Sequence, residues 1–133
     1  MKSGFAWGYG VGVVIAVAFA VIVSLIPGAM FTDPVGYAVL LLIAVIAAPP
    51  TVWMLQRIAH GRGVDPTSTV VGGMTGALTF DGLALSYWPG LYGHTGEALT
   101  AVATMLLVAF ASIGIAAYFM RALQPAPLDP SRS

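Results

Sequence analysis

A chain of 133 residues that is 59% hydrophobic and 8% charged has too little polar surface for a water-soluble domain. Its mean hydropathy of +0.93 makes lipid the expected solvent for most side chains. Five Lys/Arg balance five Asp/Glu, so no charged field points to nucleic acid or to a strongly charged partner, and the absence of cysteine excludes disulfides, thiolate metal sites and CxxC redox chemistry.

Crossing a bilayer takes about 20 apolar residues at ~1.5 Å rise each, and the sequence predicts four such helices, at about 5–26, 34–55, 66–87 and 97–120. The first, from Phe5 to Ile26, is longer than the ~7–15 apolar residues of a signal peptide; although Ala18-Phe19-Ala20 faintly resembles a cleavage site, we read a retained helix. Pro27-Gly28 supplies turn chemistry after it. Asp33-Pro34 then marks the start of the second helix, an acid at the N-cap and a proline where its missing N–H costs nothing. Within that helix Pro49-Pro50 removes two N–H donors and is expected to kink or break it. The loop around Arg57 and Arg62 ends at a second start signal, Asp65-Pro66. The third helix closes at Pro89-Gly90, and Thr95 with Glu97 opens the fourth.

The connections run roughly seven to ten residues, which makes consecutive helices antiparallel. The fold class expected is therefore all-α, an integral membrane four-helix bundle running up-down-up-down over residues 1–123, followed by a polar, proline-rich tail at 124–133. Lys2, Arg57, Arg62, Arg121 and Arg132 all fall on one side, whereas the first and third loops hold no Lys or Arg. The positive-inside rule then gives N-in and C-in topology, both termini cytoplasmic. Trp7, Trp53 and Tyr118 form an inner aromatic belt, with Tyr37, Tyr87, Trp88 and Tyr92 as an outer one. Ser-x-x-Pro-Gly recurs at Ser24–Gly28 and Ser86–Gly90, an offset of 62 that fits duplication of a two-helix hairpin.

The third helix carries the informative residues. Gly72, Thr75, Gly76, Thr79, Gly82 and Ser86 recur at three- and four-residue steps and predict a close-packing face, with Gly8 and Gly12 a similar pair on the first helix. Asp81 is the one ionisable residue inside a predicted span, roughly 9 Å below its outer end. A charge near mid-membrane costs about 2.5–3.5 kcal/mol on insertion scales, so Asp81 is expected to face the bundle. Matching depths nominates Thr104 as its hydrogen-bond partner, with Tyr37 or water as alternatives. His60 and His94 lie in loops on opposite sides and cannot share a haem or metal. No serine, histidine and acid gather on one side, so catalytic residues, cofactors and metals are not expected and the chain is not read as an enzyme.

Small multidrug transporters resemble this chain only in outline, since their working glutamate sits in a first helix that here holds no acid. Gly73-Met74 through Phe80-Asp81-Gly82-Leu83-Ala84, followed by Tyr87-Trp88-Pro89-Gly90-Leu91-Tyr92, resembles the third helix of small bacterial four-helix membrane proteins grouped as a domain of unknown function. That resemblance implies an architecture in a bacterial inner (cell) membrane and no activity. The leading expectation is a non-catalytic accessory, assembly or interaction subunit whose partners are the lipid bilayer and either a larger membrane complex or a homo-oligomer. The alternative is a small transporter or lipophilic-ligand-binding protein that uses Asp81 for proton or cation coupling. A water-accessible cavity reaching Asp81 would favour transport; a dry Asp81 bonded to Thr104, with a lipid- or protein-facing groove elsewhere, would favour the accessory reading.

Overall fold

The computed structural model describes residues 2–122, so the tail at 124–133 and Arg132 lie outside the described residues. The elements are α1 (Phe5–Leu25), α2 (Gly28–Thr32), α3 (Pro34–Arg62), α4 (Pro66–Tyr87), a 3₁₀ turn (Pro89–Tyr92) and α5 (Gly96–Ala122). Three helices, α1, α3 and α5, are long and apolar enough to cross a membrane. At 22 residues α4 has the length too, but its glycines, threonines and Ser68 dilute its apolar character, and it does not join them by composition.

Both Asp-Pro pairs start helices as the sequence predicts. The Gly36 N–H donates to Asp33 Oδ2 at 2.8 Å and the Ser68 N–H to Asp65 Oδ2 at 2.9 Å, each satisfying a donor that has no partner within its helix. The predicted end of the second helix is corrected: α3 continues past Leu55 to Arg62. Apolar counting finds the span, whereas helix propensity sets the helix. Gln56 to Arg62 holds no strong stop, and termination waits for Gly63, whose left-handed φ of +66° lets its N–H turn back to Ala59 and His60 carbonyls. α3 also runs unbroken through Pro49 and Pro50. Both prolines are exposed, and the Thr51 hydroxyl donates to the Ala47 carbonyl at 2.8 Å beside them.

Helix pairing is set by side-chain size more than by chain order. The tightest contact joins α1 to α4, and the two run parallel. A Cβ at Gly72 would strike the Phe5 carbonyl and one at Gly76 the Tyr9 carbonyl, while Gly8 and Gly12 lie against the backbone of Thr69 and Gly73. Advancing together by four residues on each side, these contacts describe backbones in van der Waals contact, the packing that small residues permit in lipid. The second pair, α3 with α5, is also parallel. Tyr37 near the start of α3 donates to the Ala101 carbonyl near the start of α5 at 3.3 Å, and Val52 and Leu55 pack with Ile113, Ala116 and Met120 at the far ends.

Consecutive long helices run in opposite directions as expected, yet α1 and α3 hardly touch. The exterior is apolar, with Val14, Leu25, Leu42, Leu107 and Ile115 all exposed. This is the inversion of a water-soluble protein and suits a hydrocarbon surround.

Candidate functional site

Asp81 faces the interior at 5% exposure. Its partner, however, is neither Thr104 nor Tyr37. Thr104 is exposed and spends its hydroxyl on the Thr100 carbonyl one turn earlier at 3.0 Å. Tyr37 bonds the Ala101 carbonyl. The Tyr92 phenol instead donates to Asp81 Oδ1 at 2.6 Å. Depth matching assumed α4 and α5 to be intimate neighbours, whereas α4 packs mainly on α1 and α3.

Tyr92 reaches Asp81 because the chain folds back after α4. Pro89 opens the 3₁₀ turn, and Gly93 closes it with a left-handed φ of +72°. A side chain at Gly93 would meet the backbone of Ser24, so the turn lies directly against the end of α1. The phenol is thereby carried inward to 0% exposure. This corrects its place in the outer aromatic belt; Tyr87 and Trp88 do face outward. Burial, reinforced by the neighbouring Asp81 carboxyl, holds the Tyr92 phenol above its ordinary pKa range and therefore protonated.

His94 follows and is buried as well. Its Nε2 lies 2.8 Å from the Val23 carbonyl at the C-terminal end of α1. Because a carbonyl can only accept, Nε2 carries the proton. The ring stands edge-on to Phe31 of α2, centroids 4.8 Å apart. Tyr92 and His94 together tie the 3₁₀ turn to α4 and to α1. Sequence reasoning missed both as site residues. The available signal was a hydroxyl-bearing aromatic and an imidazole within five residues of the Pro-Gly turn that follows the predicted helix carrying Asp81.

The predicted small-residue face of α4 is also corrected. Gly72 and Gly76 are buried against α1, but Thr79, Gly82 and Ser86 are exposed, and a Cβ at Gly82 would meet nothing within 4 Å. Thr75, half-buried, donates to the Val71 carbonyl at 2.8 Å. The stripe that is buried runs through Thr69, Gly72, Gly73, Gly76, Ala77, Asp81 and Ala84. Tandem Gly72-Gly73 widens the contact and turns it toward Ala77 and away from Thr79.

That buried stripe leads into a cavity of about 140 Å³ between α1, α3, α4 and α5. Its space arises because Gly12, Ala16, Ala44, Ala48 and Ala77 bring little volume, and Phe19 and Phe110 also line it. Asp81 is the one ionisable residue in its lining. Every fully enclosed side-chain oxygen or nitrogen among the described residues has a hydrogen-bond partner. Asp81, engaged by Tyr92 through Oδ1, stands in the lining of this cavity. The arrangement can solvate an apolar body and orient one donor or cation against a carboxyl.

No family model matches the chain, and comparison with characterised proteins and with solved structures finds no match either.

Proposed function

We propose that this chain is a non-catalytic, multi-pass membrane protein that receives a small lipophilic molecule in the cavity beside Asp81, the carboxyl anchoring the ligand's single donor or cationic group. The observation that carries this is the cavity of about 140 Å³ with apolar walls and one carboxyl. Apolar cavities of about 150 Å³ take up molecules the size of benzene, so the ligand class is one ring or a short chain with an amine or hydroxyl. Burial of its apolar surface supplies most of the affinity, at about 25 cal/mol per Å². The carboxyl supplies orientation, helped by low surrounding polarity.

In this reading α4 is a fourth span, because a carboxyl and a glycine stripe facing other helices need not meet lipid. The molecule is then a four-helix bundle running up-down-up-down, with Lys2, Arg57, Arg62 and Arg121 on the cytoplasmic side of a bacterial inner membrane and both termini there.

Thermal unfolding in mild detergent tests the assignment, with benzylamine as the probe. Benzylamine raises the unfolding midpoint of the wild type and raises that of Asp81→Asn by less. An unaltered wild-type midpoint, or an equal rise in both proteins, contradicts the assignment.

A second reading, an accessory or assembly subunit of a larger membrane complex or homo-oligomer, is favoured by α5. It is the least buried of the three span-length helices and turns Leu107, Ile115, Tyr118 and Phe119 outward. Gentle purification that returns a stoichiometric second chain supports it; recovery of the lone chain counts against it.

A further inference from the structure

The gap between α1 and α3 leaves an apolar groove at the end of the molecule where α1 begins and α3 finishes. Trp7, Gly10 and Val14 of α1 and Met54 and Ile58 of α3 line it. Arg62 reaches from the end of α3 to lay its guanidinium on the Trp7 ring, 4.0 Å from the centroid. Nearby on α3, Arg57 covers Trp53 at 5.3 Å. Arg62 continues the row of Met54 and Ile58 at the next four-residue step, and Arg57 lies about a quarter turn to one side of it. Lys2 is held at the same end, its carbonyl accepting the Asp65 N–H at 2.9 Å. Asp65, the acid at this end among the described residues, is engaged as the cap of α4.

An arginine stacked on indole uses the face of its guanidinium. The N–H groups around the edge stay free, and they match the oxygens of a phosphate. The groove thus joins an apolar trough to a basic mouth, and opposite charge at the headgroup complements it. We propose that this groove binds an anionic phospholipid, one acyl chain lying between α1 and α3 and the phosphate held by Arg62, with Arg57 adding positive charge to one side. The inference needs the chain to lie in a bilayer and is independent of what occupies the central cavity.

The test uses the full-length protein in mild detergent with added dioleoylphosphatidylglycerol, dioleoylphosphatidylcholine or glycerol phosphate. The anionic lipid is expected to raise the unfolding midpoint by about 3 °C or more, the zwitterionic lipid by less than half as much, and glycerol phosphate not at all. The Arg57→Gln/Arg62→Gln variant loses the increment. Gly10→Phe provides a second variant, because a side chain there meets nothing within 4 Å and fills the trough while leaving both arginines in place. It too loses the increment. Equal rises with the two lipids, a rise with glycerol phosphate that matches the anionic lipid, or a full increment retained by Gly10→Phe would each overturn the proposal.

Discussion

The Tyr92 phenol donates a 2.6 Å hydrogen bond to the carboxyl of Asp81, eleven residues earlier in the chain. Both side chains are buried, one on α4 and one in the turn that follows it. Tyr92→Phe keeps the ring and deletes the donor, so the carboxyl loses its partner. The expected cost is about 1–3 kcal/mol, read from unfolding in mild detergent.

The same pair sets a pH dependence. The Tyr92 phenol is held above its ordinary range by burial and by the adjacent carboxyl. A raised pKa in the folded state means that the folded protein keeps a proton the unfolded chain releases. Its contribution is complete below a pH of about 10, the pKa of an unfolded tyrosine, and is lost as pH rises further. Unfolding midpoints measured from neutral to about pH 11 should fall more steeply above pH 10 for the wild type than for Tyr92→Phe.

Glycines on one helix separate sharply. A Cβ at Gly72 or Gly76 runs into the carbonyls of Phe5 and Tyr9, so alanine at either position forces α1 and α4 apart and costs about 1–3 kcal/mol. At Gly82 a Cβ meets nothing within 4 Å. Gly82→Ala is expected to be neutral or to stabilise by up to about 1 kcal/mol, through helix propensity. Unfolding of the three single variants side by side checks this.

These contrasts show what was legible. Asp33-Pro34 and Asp65-Pro66 locate helix starts because capping is local chemistry, settled within three residues. The inward direction of Asp81 was legible because lipid penalises a carboxyl wherever the neighbouring helices lie. Its partner was not. Tyr92 arrives through the φ of Gly93 and the docking of a turn on Ser24, a tertiary arrangement without a periodic signature. The face of α4 was half legible, since spacing identifies which residues share a side but not how far a partner helix follows that side. α1 follows it past Gly76 and not to Gly82. Chain order suggested hairpin neighbours, and glycine contact overrode it by joining α1 to α4 in parallel.

The number of spans has a direct test, since the chain has no cysteine to remove. Gly61 and Gly90 both have open space where a side chain would go, and α4 separates them in sequence. If α4 crosses the membrane, Gly61→Cys and Gly90→Cys are labelled by an impermeant maleimide from opposite sides, with Gly61→Cys on the cytoplasmic side. Labelling from the same side would leave three spans.

The central claim, that the cavity beside Asp81 holds a small lipophile by its polar group, is tested most directly by equilibrium binding of two probes of similar shape, benzylamine and ethylbenzene. They differ chiefly in an ammonium against a methyl. The account predicts saturable binding of both to the wild type, with benzylamine at least about tenfold tighter, equivalent to about 1.4 kcal/mol. That difference vanishes in Asp81→Asn. Equal affinities in the wild type, or no saturable binding of either probe, would contradict it.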